Sequence, residues 1–229
     1  MKRILWFANT PCGATEYLTG KKVAGTGSWL YAMSQAISKE CGYDLHIAFY
    51  WHKEMEPFNY GGITYHPILR DGFGNSLARY IYRFKQQFSS SFDCHEIDRV
   101  ESVINQIIPD LIHFHGTEEN FGLVSYRVKN TPMILSIQGI LGPILNKFYS
   151  GYSKREILRN ESVFLKIIFD GFSANERRMK IRVEREQRIY SNINHIIGRT
   201  EWDRDCSLSL NPNRRYYICN EILRATFLE

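Results

Sequence analysis

The chain has 229 residues, which is enough for one large domain or two small ones with a real core. A hydrophobic content of 44% with 23% charged residues is typical of globular proteins, and the net charge of +5 is too small to indicate a nucleic-acid-binding protein, although it suits an anionic ligand or a membrane surface. Five scattered cysteines without a CxxC pair indicate free thiols in a reducing compartment, and no stretch approaches the roughly 18 apolar residues of a membrane span.

Strands and helices alternate along the whole sequence, according to its hydrophobic periodicity. The pattern predicts seven strands, at 3–8, 44–50, 63–67, 110–115, 132–138, 194–198 and 215–219. A polar loop is predicted at 9–26, and a helix follows it to near Cys41. Further helices are predicted at 74–90, 93–108, 118–128, 160–191 and 201–209. This alternation predicts a single α/β domain over residues 1–229, with a parallel sheet of about seven strands and helices on both faces.

Three helices carry specific expectations about their ends and faces. Asp93 is placed to cap the helix at 93–108, with Glu96 as its capping-box partner, and the buried stripe of this helix extends to Ile108. Thr200 is placed to cap the helix at 201–209. The apolar face of the long helix consists of Phe164, Ile167, Ile168 and Phe172.

Two histidines stand at the end of the strand at 110–115. His113 and His115 are two residues apart, so their side chains point to the same side of the strand, and Gly116 turns the chain directly afterwards. Ligands of parallel α/β sheets bind at the carboxyl ends of the strands, which makes an imidazole there a candidate site residue. The alternative is that both histidines are core or rim residues with satisfied hydrogen bonds. A metal site would need further ligands, and no nearby pattern of His, Cys or Asp supplies them.

A glycine pair, Gly25-Thr26-Gly27, lies just before the first helix, where backbone N–H groups favour anions. The dinucleotide fingerprint is incomplete, because the loop after Ala8 is too long, Leu30 stands in place of the third glycine, and no acidic residue ends the second strand. NAD is therefore not expected, and without a GxxxxGK[ST] motif neither is a nucleotide triphosphatase. A loop as long as 9–26 is a functional candidate at the same edge of the sheet as His115.

Two charged segments admit both a functional and a structural interpretation. Glu118 and Glu119 follow His115. We predict that they lie in the first turn of a helix, where acidic residues stabilise the helix dipole, and that they are not a carboxylate pair for hydrolysis. The long helix contains a basic run: Arg177, Arg178, Lys180, Arg182, Arg185 and Arg188. This run suits either an anionic membrane surface or a solvated helix face with salt bridges.

Several segments occur in an order and spacing that point to a known family. They are the loop and helix start Gly25-Thr26-Gly27-Ser28-Trp29-Leu30, the strand at 109–115, the segment at 131–139, the segment at 196–203 and the run at 220–224. Together they resemble the N-terminal half of a family 4 glycosyltransferase of the GT-B type, over nearly the whole chain. The resemblance implies a Rossmann-like domain that binds the acceptor, while a second, C-terminal domain binds the nucleotide-sugar.

The resemblance also implies roles for particular residues. His115 matches the histidine that faces the reacting sugar and is the catalytic candidate. Gly25, Thr26 and Gly27 would place backbone near the donor phosphates or the transferred sugar. The other implied substrate-binding residues are Gln138, Gly139, Arg199, Thr200 and Glu201. Many relatives carry histidine where this chain has Gln138, so this position departs from the family pattern.

By the same resemblance, the protein transfers a sugar, with retention of configuration, from a nucleotide-sugar donor to a saccharide or lipid-linked acceptor. No cofactor and no metal are expected, and the setting is cytoplasmic polysaccharide biosynthesis with peripheral contact at the inner membrane surface. The family's donor motif pairs two glutamates in a glycine-rich segment, whereas Glu176 and Glu184, at the matching spacing, lie in a basic segment without glycine. We therefore expect the C-terminal donor domain to be absent from this chain, which would be truncated or paired with a separate polypeptide, and inactive alone.

Two other functions remain open. A non-catalytic α/β module that binds a sugar or a nucleotide would share the fold and lack turnover. A hydrolase would use Cys12 as its nucleophile together with His115.

Overall fold

The computed structural model describes residues 1–20, 28–72, 76–88 and 91–222. Within these residues eight strands form one sheet: β1 (Lys2–Phe7), β2 (Tyr43–Trp51), β3 (Phe58–Tyr60), β4 (Ile63–Leu69), β5 (Leu111–His115), β6 (Met133–Ser136), β7 (His195–Gly198) and β8 (Arg215–Ile218). Their order across the sheet is β3-β4-β2-β1-β5-β6-β7-β8, and every neighbouring pair is parallel except β3 with β4. The predicted α/β fold is confirmed.

The seven predicted strands are all present, and the eighth is one that the hydrophobic pattern does not predict. β3 has three residues and pairs antiparallel with β4 at the edge of the sheet. Gly61 and Gly62 join the two strands with φ values of 60° and 76°, as a two-residue hairpin of the type I′ class requires. Three residues are too few for an alternation of apolar and polar side chains to be recognised.

Nine α-helices lie in the described part of the chain: α1 (Thr15–Thr19), α2 (Ser28–Lys39), α3 (Ser76–Lys85), α4 (Ser91–Ile107), α5 (Leu141–Asn146), α6 (Lys154–Asn160), α7 (Val163–Ile167), α8 (Phe172–Asn192) and α9 (Glu201–Leu210). Short 3-10 helices occur at Cys12–Ala14 and Phe121–Tyr126, and the second replaces the α-helix predicted at 118–128. α1 lies within the predicted loop at 9–26. None of the helices described has the length and apolar character needed to cross a membrane.

Helices cover both faces of the sheet, and the alternation of side chains along β1 divides the core into two layers. Leu5 and Phe7 belong to a layer that includes residues of α4 and α8. Trp6 and Ala8 point the other way, into a smaller layer that includes Leu30 of α2. Burial on both faces explains why the strand at the centre of the sheet is an unbroken apolar run in the sequence.

For the helix at 93–108, the predicted end near Ile108 is confirmed, but the predicted cap and the burial of Ile108 are wrong. α4 begins at Ser91, so Asp93 lies inside the first turn and does not cap the helix. Glu96 is buried and bonded to other elements instead of closing a capping box. The helix ends at Ile107, and Ile108 is exposed with a φ of 52°.

The long helix predicted at 160–191 is interrupted. It consists of α7 and α8, and the connection between them includes Phe169, which has a φ of 54°. The predicted apolar face does not turn towards the core, since Phe164, Ile167 and Phe172 are all exposed. An unbroken stripe in the sequence is thus divided between two helices.

Thr200 caps α9 as predicted, in a capping box with Asp203. The Thr200 hydroxyl accepts from the Asp203 N–H at 3.1 Å, and the Asp203 carboxylate accepts from the Thr200 N–H at 3.2 Å. We expect Thr200→Ala to lower the free energy of unfolding by about 1 kcal/mol, because the Asp203 N–H loses its acceptor. Urea denaturation measures this loss. Ser209→Ala, on the last turn of the same helix, is the matched control and should change it by less than about 0.5 kcal/mol.

Candidate functional site

The direction of the chain through the sheet reverses at β1. From β1 the chain proceeds to β2 and β4 on one side, and then returns to β5 on the other side. In open α/β sheets ligands bind in the crevice outside the carboxyl ends of the two strands at such a point. Here Asn9 follows β1 and Glu118 follows β5, and Asn9 Nδ2 donates to Glu118 Oε2 at 3.0 Å. The candidate site is therefore built from the loops at this edge.

His113 and His115 lie side by side in β5, as their spacing predicts, with ring centroids 3.9 Å apart. His113 Nε2 is hydrogen-bonded to Ser136 Oγ at 2.7 Å, and burial lowers the pKa of this imidazole to about 3. His115 is 1% exposed, and neither of its ring nitrogens has a hydrogen-bond partner among the described residues. Burial, with a smaller effect of His113, lowers the pKa of His115 well below its usual value. Both rings are neutral at pH 7.

Two tryptophans enclose His115. Trp6 of β1 and Trp29 of α2 meet the His115 ring edge-on, with centroid distances of 4.5 Å and 5.8 Å. The histidine that the sequence places at an open strand end is thus buried beside two indole rings. An unpaired polar group in such surroundings costs free energy, so packing does not explain why histidine stands here.

Hydrogen bonds between predicted site residues join three loops of this edge. Gln138 Nε2 donates to the His115 carbonyl at 3.2 Å, and Arg199 Nη2 donates to the Gln138 carbonyl at 3.2 Å. Arg199 also pairs with Glu221. A small cavity of about 40 Å³ lies next to Arg199 and Trp29. The structure therefore brings His115, Gln138 and Arg199 together from distant parts of the sequence.

The remaining predicted site residues have varied positions. The Thr200 hydroxyl serves as the cap of α9, and Glu201 is exposed and pairs with Arg204. Gly139 lies beside Glu118, since a Cβ built on it would be 3.8 Å from Glu118 Oε1. Three of the predicted residues lie outside the part of the chain that the structure describes: Gly25, Thr26 and Gly27.

A larger cavity, of about 530 Å³, opens at the same edge, and no pattern in the sequence predicts it. Its volume falls within the range of small-molecule sites. Glu118 lines this cavity and is also bonded to Asn9 at the crevice between β1 and β5, so Glu118 borders both features. Charged residues of both signs line it, among them Arg70, Glu118, Glu119, Arg178, Arg182 and Arg185.

Glu118 and Glu119 do not lie in the first turn of a helix, which corrects the expectation from the sequence. The 3-10 helix begins only at Phe121. Glu119 accepts from both Nη atoms of Arg70, at 2.8 Å and 2.7 Å. The Glu118 carboxylate lies over Gly116, where φ is +89° and a Cβ would collide with Oε2, so that only glycine fits this turn. Both acidic residues line the large cavity.

Part of the basic run of α8 faces inward, so neither a membrane-facing nor a fully solvated face describes it. Arg182 Nη2 and Arg185 Nη2 donate to the Glu118 carbonyl at 2.9 Å and 2.8 Å. Arg178 pairs with Asp170 at 3.1 Å. Burial lowers the pKa of Arg182, although the group stays charged at pH 7. These arginines form one wall of the large cavity.

Asn120 connects the elements next to this cavity. Its Nδ2 donates to Asp93 Oδ1 at 2.8 Å and to Glu96 Oε2 at 2.6 Å, and its Oδ1 accepts from the Tyr50 hydroxyl at 2.5 Å. Burial raises the pKa of Glu96. Asp93 and Glu96, for which the sequence pattern predicts a helix cap, thus belong to a polar network around Asn120.

Glu186 of α8 holds the loops after β5 and β6 together. Its Oε1 accepts from Thr117 Oγ1 at 2.6 Å, and its Oε2 accepts from the N–H groups of Leu141 and Gly142 at 2.9 Å and 3.3 Å. Glu186 is buried, and burial raises its pKa. A signal was available in the sequence, because Glu186 lies three residues before Ile189 on the buried stripe of α8, and a charge there needs partners.

Cys12 does not have the properties of a nucleophile. Its thiol is buried and donates to the Thr10 carbonyl with an Sγ–O distance of 3.7 Å. Burial raises its pKa to about 12, so that almost no thiolate is present at neutral pH. The hydrolase hypothesis therefore loses its reactive group. Within the described residues, no group of three or more His, Cys, Asp or Glu residues is arranged to hold a metal ion.

Comparisons with known proteins give no match in sequence, since neither a protein-family model nor a curated protein matches the chain. In structure, the chain is similar to sucrose-phosphate synthase from Thermosynechococcus elongatus. The TM-score is 0.59 at 9% identity, over 95% of this chain and 47% of that one. The chain thus spans about half the length of that structure.

Two weaker likenesses accompany this one. A second structure of the Thermosynechococcus elongatus sucrose-phosphate synthase has a TM-score of 0.48 at 10% identity, over 96% of this chain and 90% of that one. Phytolacca americana UGT2, complexed with UDP-2fluoro-glucose and pterostilbene, has a TM-score of 0.47 at 10% identity, over 100% of this chain and 56% of that one. At these scores the two likenesses add nothing to the assignment. The stronger one, together with the order of the strands, shows the fold to be a GT-B Rossmann-like α/β domain.

Proposed function

We propose that this chain is the acceptor-side domain of a glycosyltransferase, which transfers a sugar from a nucleotide-sugar to a saccharide or lipid-linked acceptor. The observation that carries the proposal is the cavity of about 530 Å³ at the carboxyl edge of a GT-B Rossmann-like sheet, beside the point where the strand order reverses. The name of the similar structure, sucrose-phosphate synthase, supports sugar chemistry.

The lining of the cavity suits a saccharide. Sugar hydroxyls both donate and accept hydrogen bonds, and this cavity offers carboxylates of Glu118 and Glu119 as acceptors next to guanidinium donors of Arg70 and Arg182. Because Arg70 and Glu119 fix one another through two hydrogen bonds, these groups are pre-ordered for a ligand. Such ordering is what a transferase needs to hold an acceptor hydroxyl in line with the anomeric carbon of the donor.

The reaction also needs stabilisation of charge on the sugar and on the departing diphosphate. In the proposed assignment His115 hydrogen-bonds a hydroxyl of the reacting sugar. By the resemblance to family 4 enzymes, the backbone of Gly25, Thr26 and Gly27 would serve the donor phosphates or the transferred sugar, and Arg199 would line the cleft. Retention of configuration, the roles of Gln138, Gly139, Thr200 and Glu201, and a cytoplasmic setting at the inner membrane surface rest on the resemblance to family 4 enzymes.

The proposal predicts that the 229-residue chain alone shows no sugar transfer and only weak binding of nucleotide-sugars, because the donor is held by a second domain. The test incubates the chain, and separately the natural gene product that contains it, with a panel of nucleotide-sugars and with saccharide and lipid-linked acceptors. Mass spectrometry detects a glycosylated product. The proposal is supported if the gene product transfers sugar and the 229-residue chain does not. Tight binding of a nucleotide-sugar by the 229-residue chain in calorimetry contradicts it.

A non-catalytic sugar- or nucleotide-binding module is the second candidate. The burial of His115 beside Trp6 and Trp29 favours it, because the catalytic candidate is only 1% exposed. Saccharide binding in calorimetry by the natural gene product, without transfer from any nucleotide-sugar of the panel, would establish this alternative.

A further inference from the structure

α7 is an apolar helix that lies on the surface. Its five residues are Val-Phe-Leu-Lys-Ile, and every one of them is exposed. Val163, Phe164 and Ile167 have exposed fractions of 68%, 66% and 61%. Four of these five residues are apolar, and exposed apolar side chains that lie together mark a surface that a partner covers.

α3 presents a second exposed apolar surface. Leu77, Ile81, Phe84 and Phe88 recur at the spacing of one helix face and have exposed fractions between 42% and 67%. Tyr82, on the opposite side, is the residue that α3 turns towards the core, where its hydroxyl donates to Glu96. The helix is amphipathic, and much of its apolar stripe faces outward.

The two surfaces are continuous. Phe169, which follows α7, packs against the rings of Tyr80 and Phe84 of α3 with centroid distances of 5.0 Å and 4.7 Å. Arg83 of α3 pairs with Asp170 at 3.3 Å. We call the combined surface the α3–α7 face, formed by Leu77, Ile81, Phe84, Phe88, Phe164 and Ile167.

The charges around this face are mostly positive. Residues 76–88 and 154–170 hold seven basic residues and three acidic ones, and one of the acidic residues, Asp170, pairs with Arg83. Three of the seven are lysines, which are depleted in protein–protein interfaces but are favoured where a helix meets anionic lipids. Exposed phenylalanine and leucine next to lysine and arginine is the combination that inserts into the boundary between headgroups and acyl chains.

We propose that the α3–α7 face docks on an anionic lipid bilayer. Phe164, Ile167, Leu77 and Phe88 enter the interface, and the basic residues around them contact the lipid headgroups. The membrane contact thus lies on α3 and α7 and not on the basic run of α8. Leu165 of α7 also lines the large cavity, so a lipid-borne substrate would reach that cavity directly from the bilayer.

Sedimentation of the 229-residue chain with sucrose-loaded vesicles tests this docking without any assay of transfer. We expect binding to vesicles of phosphatidylcholine with about 30% phosphatidylglycerol, and at least about tenfold weaker binding to phosphatidylcholine alone or at 0.5 M salt. The double variants F164S/I167S and L77S/F88S should each weaken binding to the anionic vesicles at least about tenfold, because each removes two inserted apolar side chains.

The control L208S/I218S removes two exposed apolar side chains from α9 and β8 and should bind like the unmodified chain. Far-ultraviolet circular dichroism checks that every variant is folded. The proposal is overturned if the unmodified chain does not bind anionic vesicles, or if either double variant binds them as tightly as the unmodified chain does. Light scattering tests the alternative partner, a second copy of the chain. If the chain does not bind vesicles and is a dimer that F164S/I167S converts to monomers, the proposal is overturned and the face is assigned to a second copy.

Discussion

His115→Leu, introduced into the natural gene product, should abolish sugar transfer while leaving the domain as stable as before or more stable. The side chain is buried with both ring nitrogens unpaired among the described residues, and leucine fills similar space without a polar group that needs partners. We expect the free energy of unfolding at pH 7 to rise by up to about 1 kcal/mol. If His115 hydrogen-bonds the reacting sugar, transfer should fall at least about 100-fold.

The same variant should also change the dependence of stability on pH. The folded state holds His115 neutral, since burial and His113 lower its pKa, while the unfolded chain takes up a proton below about pH 6.5. Stability therefore falls as the pH drops below that value, by about 1.4 kcal/mol per pH unit for this group. His115→Leu should remove this slope between about pH 6 and 5 in urea unfolding. Glu96 and Glu186, whose raised pKa values act in the opposite direction, are common to both proteins and cancel in the difference.

His113→Leu is the matched control. His113 is buried in the same strand with a pKa lowered to about 3, but it is bonded to Ser136, so its removal leaves the Ser136 hydroxyl unpaired and should cost about 1–2 kcal/mol at pH 7. If the free energy of unfolding rises in His115→Leu and falls in His113→Leu, His115 is a residue kept at a cost to stability, which is typical of functional sites. Full transfer activity of His115→Leu would remove His115 from the mechanism.

The sequence predicts the α/β sheet because strands buried on both faces are continuous apolar runs that periodicity detects. It fails where local pattern and tertiary packing disagree. β3 is too short to show a pattern, and its pairing follows from the Gly61-Gly62 turn. The apolar stripe predicted for the long helix runs across the break at Phe169 in the sequence. The stripe does not reveal the break, because the apolar side chains of α7 are exposed and do not pack on the sheet.

The candidate site likewise has a part that the sequence predicts and a part that depends on tertiary packing. His115 is predicted because it ends a recognisable strand, and ligands of parallel sheets bind at strand ends. Gln138 and Arg199, which hydrogen bonds join to it, follow only from the family resemblance. The large cavity was not predicted, since its walls come from α8 and from the loop at Glu118, whose distance along the chain conceals their contact. Asn120 and Glu186 were missed because a buried polar residue acquires its role only from partners that the fold supplies.

Glu186 provides the largest expected effect on stability. Glu186→Ala should lower the free energy of unfolding by about 3 kcal/mol, because the Thr117 hydroxyl and the N–H groups of Leu141 and Gly142 lose their acceptor inside the protein. Thermal and urea denaturation measure the loss. The loops after β5 and β6 lose their common anchor in this variant, so we expect transfer by the natural gene product to fall with it.

Two further substitutions separate the hydrogen bonds from the charge. Glu186→Gln keeps an oxygen for the Leu141 and Gly142 N–H groups, and its amide can donate to the Thr117 hydroxyl, so the cost should stay below about 1 kcal/mol. Glu184→Ala removes an exposed carboxylate two residues away on the same helix and should change stability by less than about 0.5 kcal/mol. A cost for Glu186→Ala no larger than that for Glu184→Ala would show that Glu186 does not anchor the two loops. A cost for Glu186→Gln as large as that for Glu186→Ala would instead place the anchor in the negative charge, acting on the first N–H groups of α5.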